Sequence, residues 1–343
     1  MPTYVLEGAG RAVFPRRPIV VSMTVVGPVA SATIRALVNG VDDSRVVRPT
    51  PGLLVLPRVD APTVLRLMPA GPAEFPPDTT VHLTLAVEDR SDPDPDRAVL
   101  GPIDVSGLTH IDVAALESVG EGISVAALRG GREIELGPVA NQARVATRAV
   151  LGVDQLPEHA QADIAIAVDM SASMLPAFAD GSVAAVVDVI SGIASVVAPH
   201  RRIRLCLADA SPRWLEIEDL ATASAVVTAE VVNVVLVSGF QSAAVSQLDG
   251  SAADMVTFIL TDAVPADSNG LAYDTRDSRH IVTIQTPFDG QEAMPNVTIV
   301  APPPPGASAL ERLVRDRDAV NAAVRSMLNA TTLGGRGHAV VTR

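Results

Sequence analysis

The stretch Ala162-Asp-Ile-Ala-Ile-Ala-Val-Asp-Met-Ser-Ala-Ser-Met174 constrains this chain more than any other. Ile164 to Val168 is short, rich in β-branched residues and free of polar interruption. A strand buried on both faces of a parallel sheet reads this way. Asp169, Ser171 and Ser173 then fall at the strand's carboxyl end, where open α/β sheets bind their ligands. One carboxylate and two hydroxyls at alternate positions are hard oxygen donors. They suit a divalent cation such as magnesium, manganese or calcium. A second reading of the same residues is a strand end whose serines cap the next helix.

The flanking chain predicts two domains. Residues 1–136 carry short apolar runs at Ile19–Val26, Ala32–Val38, Leu53–Leu56, Thr63–Met68, Val81–Val87 and Ile123–Leu128, separated by Pro and Gly. In Thr80–Val87 the alternation puts Val81, Leu83, Leu85 and Val87 on one face. Such strands at short intervals predict an antiparallel β-sandwich. Asp89 to Asp96 is an acidic, Pro-rich loop. Its carboxylates are dense, but it lacks the turn Gly and the bidentate Glu of an EF-hand, so it reads as a solvated loop. Residues 137–160 read as a linker with a short helix over Asn141–Val150.

From residue 161 to 330 strands and helices alternate, which predicts a doubly wound, mainly parallel sheet with helices on both faces. Ser182–Val197 has apolar residues at helical spacing, with an N-cap offered by Asp180-Gly-Ser182 and a stop at Pro199. Ile203–Ala208, Met255–Leu260 and Ile281–Gln285 read as strands, and Trp214–Ile217 as an antiparallel neighbour. Asp219–Val227 reads as a helix, and Val231–Val237 fits either a helix or a strand. Ser308–Leu328 reads as one closing amphipathic helix, with Leu310, Leu313, Val314, Val320, Val324, Met327 and Leu328 inward. Residues 331–343 read as a flexible tail.

Composition narrows the function. All 26 basic residues are Arg, so no chemistry that needs a lysine, such as a P-loop or a Schiff base, is available. The formal charge of −13 argues against nucleic acid and anionic lipid as partners. The single Cys206 lies in an apolar run and reads as a core residue. Met1–Met23 shows no secretory signal, and no segment reaches the roughly 18 apolar residues of a membrane span. The expectation is a soluble, cytoplasmic protein.

Two predicted buried strands end in Asp169 and Asp262, with a Ser-rich loop, Ser238-Gly-Phe-Gln-Ser242, between them. Asp169-Met-Ser-Ala-Ser173 resembles the Asp-x-Ser-x-Ser motif of the von Willebrand factor A (vWA) domain, its metal-ion-dependent adhesion site. Thr261-Asp262 resembles that family's Thr-Asp-Gly at the end of its fourth strand. The resemblance implies direct metal ligation by Ser171 and Ser173. Asp169 and Asp262 would act directly or through water, and Ser242 would take the family's loop-threonine position, with Gln241 and Ser238 as runners-up. Magnesium or manganese is favoured over calcium, a further candidate, because few carboxylates are available to fill a larger shell. The open coordination position would take an Asp or Glu carboxylate from a partner protein. Three departures bear on metal affinity more than on fold: Ala172 and Ala263 stand where the family has Gly, and the loop threonine is a Ser at best.

Ser173 to Val183 is similar to the vWA domains found with bacterial tellurium-resistance (Ter) proteins, which implies an assembly connected with stress or tellurium resistance. Val125 to Leu136 resembles the end of a TerD-type β-sandwich, although the acidic calcium motifs of those proteins are missing from residues 1–100. An unrelated sandwich remains the alternative. Two other functional readings stand beside the metal-dependent interaction module. One is a structural interaction protein with a decayed site. The other is a hydrolase using Ser171 or Ser173, which lacks a Gly-x-Ser-x-Gly elbow and has only scattered His residues. The leading reading is not an enzyme.

Overall fold

The computed structural model describes residues 3–6, 8, 10–28, 32–88, 95–128, 135–198, 202–209, 212–233, 255–264, 278–286, 294 and 296–333. The protein is mixed α/β, with three six-stranded sheets among the described residues. It divides into two compact units, Met1–Glu133 with Gly152–Asp154, and Ile134–Leu151 with Gln155–Arg343.

Among its described residues, the regular elements of the first unit are strands. They are β1 (Thr3–Leu6), β2 (Arg11–Pro15), β3 (Ile19–Val26), β4 (Ala32–Val38), β5 (Val41–Asp42), β6 (Val47–Thr50), β7 (Leu53–Leu56), β8 (Thr63–Pro69), β9 (Thr80–Val87), β10 (Arg97–Asp104), β11 (Ile111–Val119) and β12 (Gly122–Ala127). One sheet runs β1-β10-β9-β3-β7-β6 and the other β2-β12-β11-β8-β4-β5. Val81, Leu83, Leu85 and Val87 of β9 are all buried, while His82 between them is exposed. Inward residues of both sheets, among them Phe14, Ile34, Leu65, Leu83 and Leu116, join one hydrophobic core. The unit is not purely antiparallel as expected, because β1 pairs parallel to β10 at the sheet's edge. β1 and β10 are far apart in sequence, so no hairpin dictates their relative direction.

In the second unit the sheet runs β15-β14-β13-β16-β17-β18. Its strands are β13 (Asp163–Asp169), β14 (Ile203–Ala208), β15 (Arg213–Ile217), β16 (Met255–Thr261), β17 (Ser278–Ile284) and β18 (Val297–Val300). Among the described residues, four of its five pairings are parallel and β14–β15 is antiparallel. The helices are α1 (Pro138–Leu151), α2 (Leu175–Ala179), α3 (Ser182–Val197), α4 (Ala223–Ala229), α5 (Ala309–Arg315) and α6 (Arg317–Asn329). α1 lies against α3, α5 and α6, and α4 also touches α3. α3 is buried nearly all round, Ser191 and Ser195 included. Asp180 Oδ1 accepts the Ser182 N–H at 2.8 Å and starts α3, with Gly181 in the left-handed conformation at φ 80°.

Two sequence expectations fail in this unit. Ser308–Leu328 is not one helix. It breaks at Asp316, whose φ and ψ are −108° and 77° and whose Oδ1 accepts the Ala319 N–H to cap α6. The local Asp–backbone bond competes with the continuing helix and wins. The break also turns Val314 outward, to 39% exposure. Residues 331–333 are not part of a tail either, since Thr331 and Leu333 are buried and the Thr331 hydroxyl donates to the Met327 carbonyl.

Candidate functional site

Side-chain parity defines two faces of the second sheet. Ile166, Phe258 and His280 are cross-strand neighbours and share one face. His280 Nε2 meets Thr298 Oγ1 at 2.7 Å, and Thr298 donates to Ser326 of α6 at 2.7 Å, so α6 covers this face. Ala167, Cys206, Ile259 and Ile281 form a packed apolar row across the opposite face. Two residues further along each strand, the same face presents Asp169, Ala208, Thr261 and Thr283. This second row is the carboxyl edge of the sheet, and the candidate site is built on it.

β13 lies between β14 and β16 and is buried from Ile164 to Asp169. Beyond Asp169 the Met170 N–H is held by the Ala208 carbonyl at 3.1 Å. Ser171 stays extended (φ −75°, ψ 157°), and a single 3-10 turn over Ala172–Met174 leads into α2. That geometry turns both serines the same way. Ser171 Oγ and Ser173 Oγ are 2.9 Å apart. Asp169 Oδ1 accepts the Ser171 N–H at 2.9 Å, and Asp169 Oδ2 accepts the Thr261 hydroxyl at 2.9 Å. Asp169, Ser171 and Thr261 are buried, while Ser173 is exposed. The site is therefore a rigid carboxylate at the base of a hydroxyl pair that opens to solvent.

The helix-cap reading finds no support at Ser171. It precedes the 3-10 turn, yet its side chain makes no cap bond. Its hydroxyl is spent on Ser173 instead.

The residues fit a small hard cation. Two oxygen ligands at right angles, each about 2.1 Å from magnesium, stand about 3 Å apart. The Ser171–Ser173 separation matches that edge. Among the described residues no three His, Cys, Asp or Glu side chains cluster as a metal group. The donor set here is instead two hydroxyls with one carboxylate behind them.

Of the five expected ligands, the structure brings Asp169, Ser171 and Ser173 together. Asp262 is half-buried directly after β16, and the side chain of the Thr-Asp pair that bonds Asp169 is Thr261. Ser242, with Gln241 and Ser238, lies outside the described residues. The acidic stretch 89–94 lies outside them as well. Sequence reading passed over Thr261 because it weighed the pair for its carboxylate. The available signal was register: if β13 and β16 are neighbours ending together, Thr261 is level with Asp169.

Other reactive groups sit elsewhere. Burial, helped by the Asp209 charge, pushes the Cys206 thiol up to about 12, which keeps it protonated. Burial lowers the His280 imidazole to about 4, and His280 is on the face opposite Asp169. His110 is held by the adjacent Thr109 hydroxyl in the first unit. Asp188 on α3 is raised by burial, partly offset by a hydrogen bond from Ser224. Among the described residues no single helix is long and apolar enough to cross a membrane. No protein-family model matches the chain, and no curated protein matches it either.

Proposed function

We propose that the second unit is a vWA-type, metal-dependent protein-binding module and that the first is a β-sandwich carried with it. The doubly wound arrangement belongs to the same reading. Ser171 and Ser173 would ligate magnesium or manganese, with Asp169 behind them directly or through water, and Asp262 and Ser242 would complete the shell. Calcium is disfavoured because few carboxylates are at hand to fill its larger shell. The ion would supply Lewis acidity. Hydroxyl ligands leave most of its charge unneutralised, so a partner's Asp or Glu is attracted to the open position. Nucleic acid and membranes are not partners in this reading, and no catalytic step is assigned. The likeness of Ser173–Val183 to Ter-associated vWA domains extends the proposal to a cytoplasmic stress or tellurium-resistance assembly.

The observation that carries the reading is the 2.9 Å Ser171–Ser173 pair above a buried, doubly held Asp169. One feature favours a decayed site: the two hydroxyls satisfy each other, and Ala172 and Ala263 replace the family's glycines. A melting series with chelator, magnesium, manganese and calcium separates the two readings. An ion that binds only the native state adds about 2.7 kcal/mol at a hundredfold excess over Kd. The wild type is expected to melt higher with magnesium or manganese, and Asp169→Ala to show no shift. A wild type indifferent to every ion at millimolar concentration establishes the decayed site instead.

A further inference from the structure

Two threonines of the carboxyl-edge row have no role in the set implied by the vWA likeness. Thr261 is 3% exposed and donates to Asp169 Oδ2. Thr283 pairs in register with Thr261, shares its face and is fully buried. Its Oγ1 has no hydrogen-bond partner among the described residues. A buried, unpaired hydroxyl is costly and calls for an explanation.

Distance limits what Thr283 can do. Neighbouring strands are about 4.8 Å apart, so Thr283 stands roughly 10 Å from Asp169, too far to ligate the same ion. It is one strand from Thr261, a gap that one bridging water spans. Thr261 spends its proton on Asp169, so its lone pairs are left to accept. A water that accepts from Thr283 and donates to Thr261 satisfies both groups.

We propose that Thr261 and Thr283 form a hydrogen-bonded row, closed by one buried water, that positions Asp169 for the cation; the proposal rests on the metal-site reading above. The donors run in one direction, from Thr283 through the water to Thr261 and on to Asp169. With Oδ1 accepting from the Ser171 N–H and Oδ2 from Thr261, the carboxylate plane is fixed. Both threonines are positioning residues and neither touches the ion.

The test is calorimetric titration of the full chain with manganese, alongside melting in chelator. Thr261→Val keeps the shape and loses the donor; Thr261→Ser keeps the donor. Removing a partner that orients a metal ligand weakens affinity about ten- to hundredfold. Thr261→Val is expected to fall in that range and Thr261→Ser to stay near wild type. Thr283→Val is expected to weaken binding less, to melt no lower than wild type in chelator, and to add no loss in the Thr261→Val background. Thr283→Ser should bind like wild type. If Thr261→Val does not fold, the Thr283 pair decides alone. Wild-type affinity in Thr261→Val or Thr283→Val, with the wild type binding manganese, overturns the row and leaves the metal site standing. So does an independent, additive loss at Thr283. A wild type that binds no manganese overturns both.

Discussion

At the scale of single residues, the second unit holds polar groups where each has a definable cost. His280 is the clearest case. It is fully buried, its ring meets Phe258 edge-on at 6.1 Å, and it touches Thr298. Because Thr298 donates onward to Ser326, Nε2 carries the proton and Nδ1 is left without a partner among the described residues. Protonation would bury an unpaired charge, which is why the imidazole is held down at about 4 against an ordinary 6.5. In the unfolded chain the ring takes its proton first. Stability is therefore full above pH 6.5 and is lost as pH falls from there toward 4. The loss from this group is about 2 kcal/mol between pH 6.5 and 5. His280→Gln keeps a donor for Thr298 but cannot titrate. Urea midpoints at pH 7 and pH 5 should fall much further in the wild type than in the variant. Equal falls would show that His280 does not drive the acid sensitivity. In the sequence His280 is only one of the scattered histidines. Its depth could not be read, because burial there depends on α6, which is distant in sequence.

At the scale of elements, α3 shows what sequence can and cannot convey. Its bounds follow from apolar spacing, the Asp180-Gly-Ser182 start and the proline after Ala198, which leaves Ala198 extended (ψ 139°). Its closest neighbour was not legible. Gly192 lets α1 approach so near that a Cβ there would meet Ala140 O, Ala143 Cβ at 2.6 Å and Arg144 N at 2.8 Å. Gly192→Ala gains about 1 kcal/mol of helix propensity. Overpacking a tight contact costs about 1–3 kcal/mol. The steric loss should prevail, because two of the three blocking atoms are α1 backbone and cannot rotate aside. A lower urea midpoint for Gly192→Ala is expected; an unchanged or higher one would mean that α1 moves off freely. The central strands were legible for another reason. β13, β14 and β16 are buried on both faces, so the run itself gives the strand. By contrast β2, β10 and β11 were among the strands missed. Each mixes polar residues into the run, and β10 carries Gly101-Pro102 across a register shift between Leu100 and Ile103. The Asp316 break was hidden because the apolar period continues nearly in phase across it.

At the scale of the molecule, the two units have separate internal cores, and the candidate site belongs to one of them alone. The core that joins both sheets of the first unit contains only residues of that unit, from Leu6 to Val125. Asp169, Ser171, Ser173 and Thr261 belong to the second unit, on the edge row of its own sheet. An ion bound there, as proposed, would reinforce β13 and β16, which the Thr261–Asp169 hydrogen bond already joins. β9 and β11 belong to the other unit. Native-state opening occurs in cooperative units, and a ligand slows exchange only for openings that break its site. Hydrogen exchange with and without saturating manganese should therefore divide the chain. Amides of β13, β14 and β16 should exchange about a hundredfold more slowly at a hundredfold excess over Kd, where they open with the site. Those of β9 and β11, which make the first unit's core, should not change. Equal slowing in β9 and β11 would show that the chain opens as a single cooperative body. Slowing confined to Met170–Met174 would show that the ion orders the loop without stabilising the sheet.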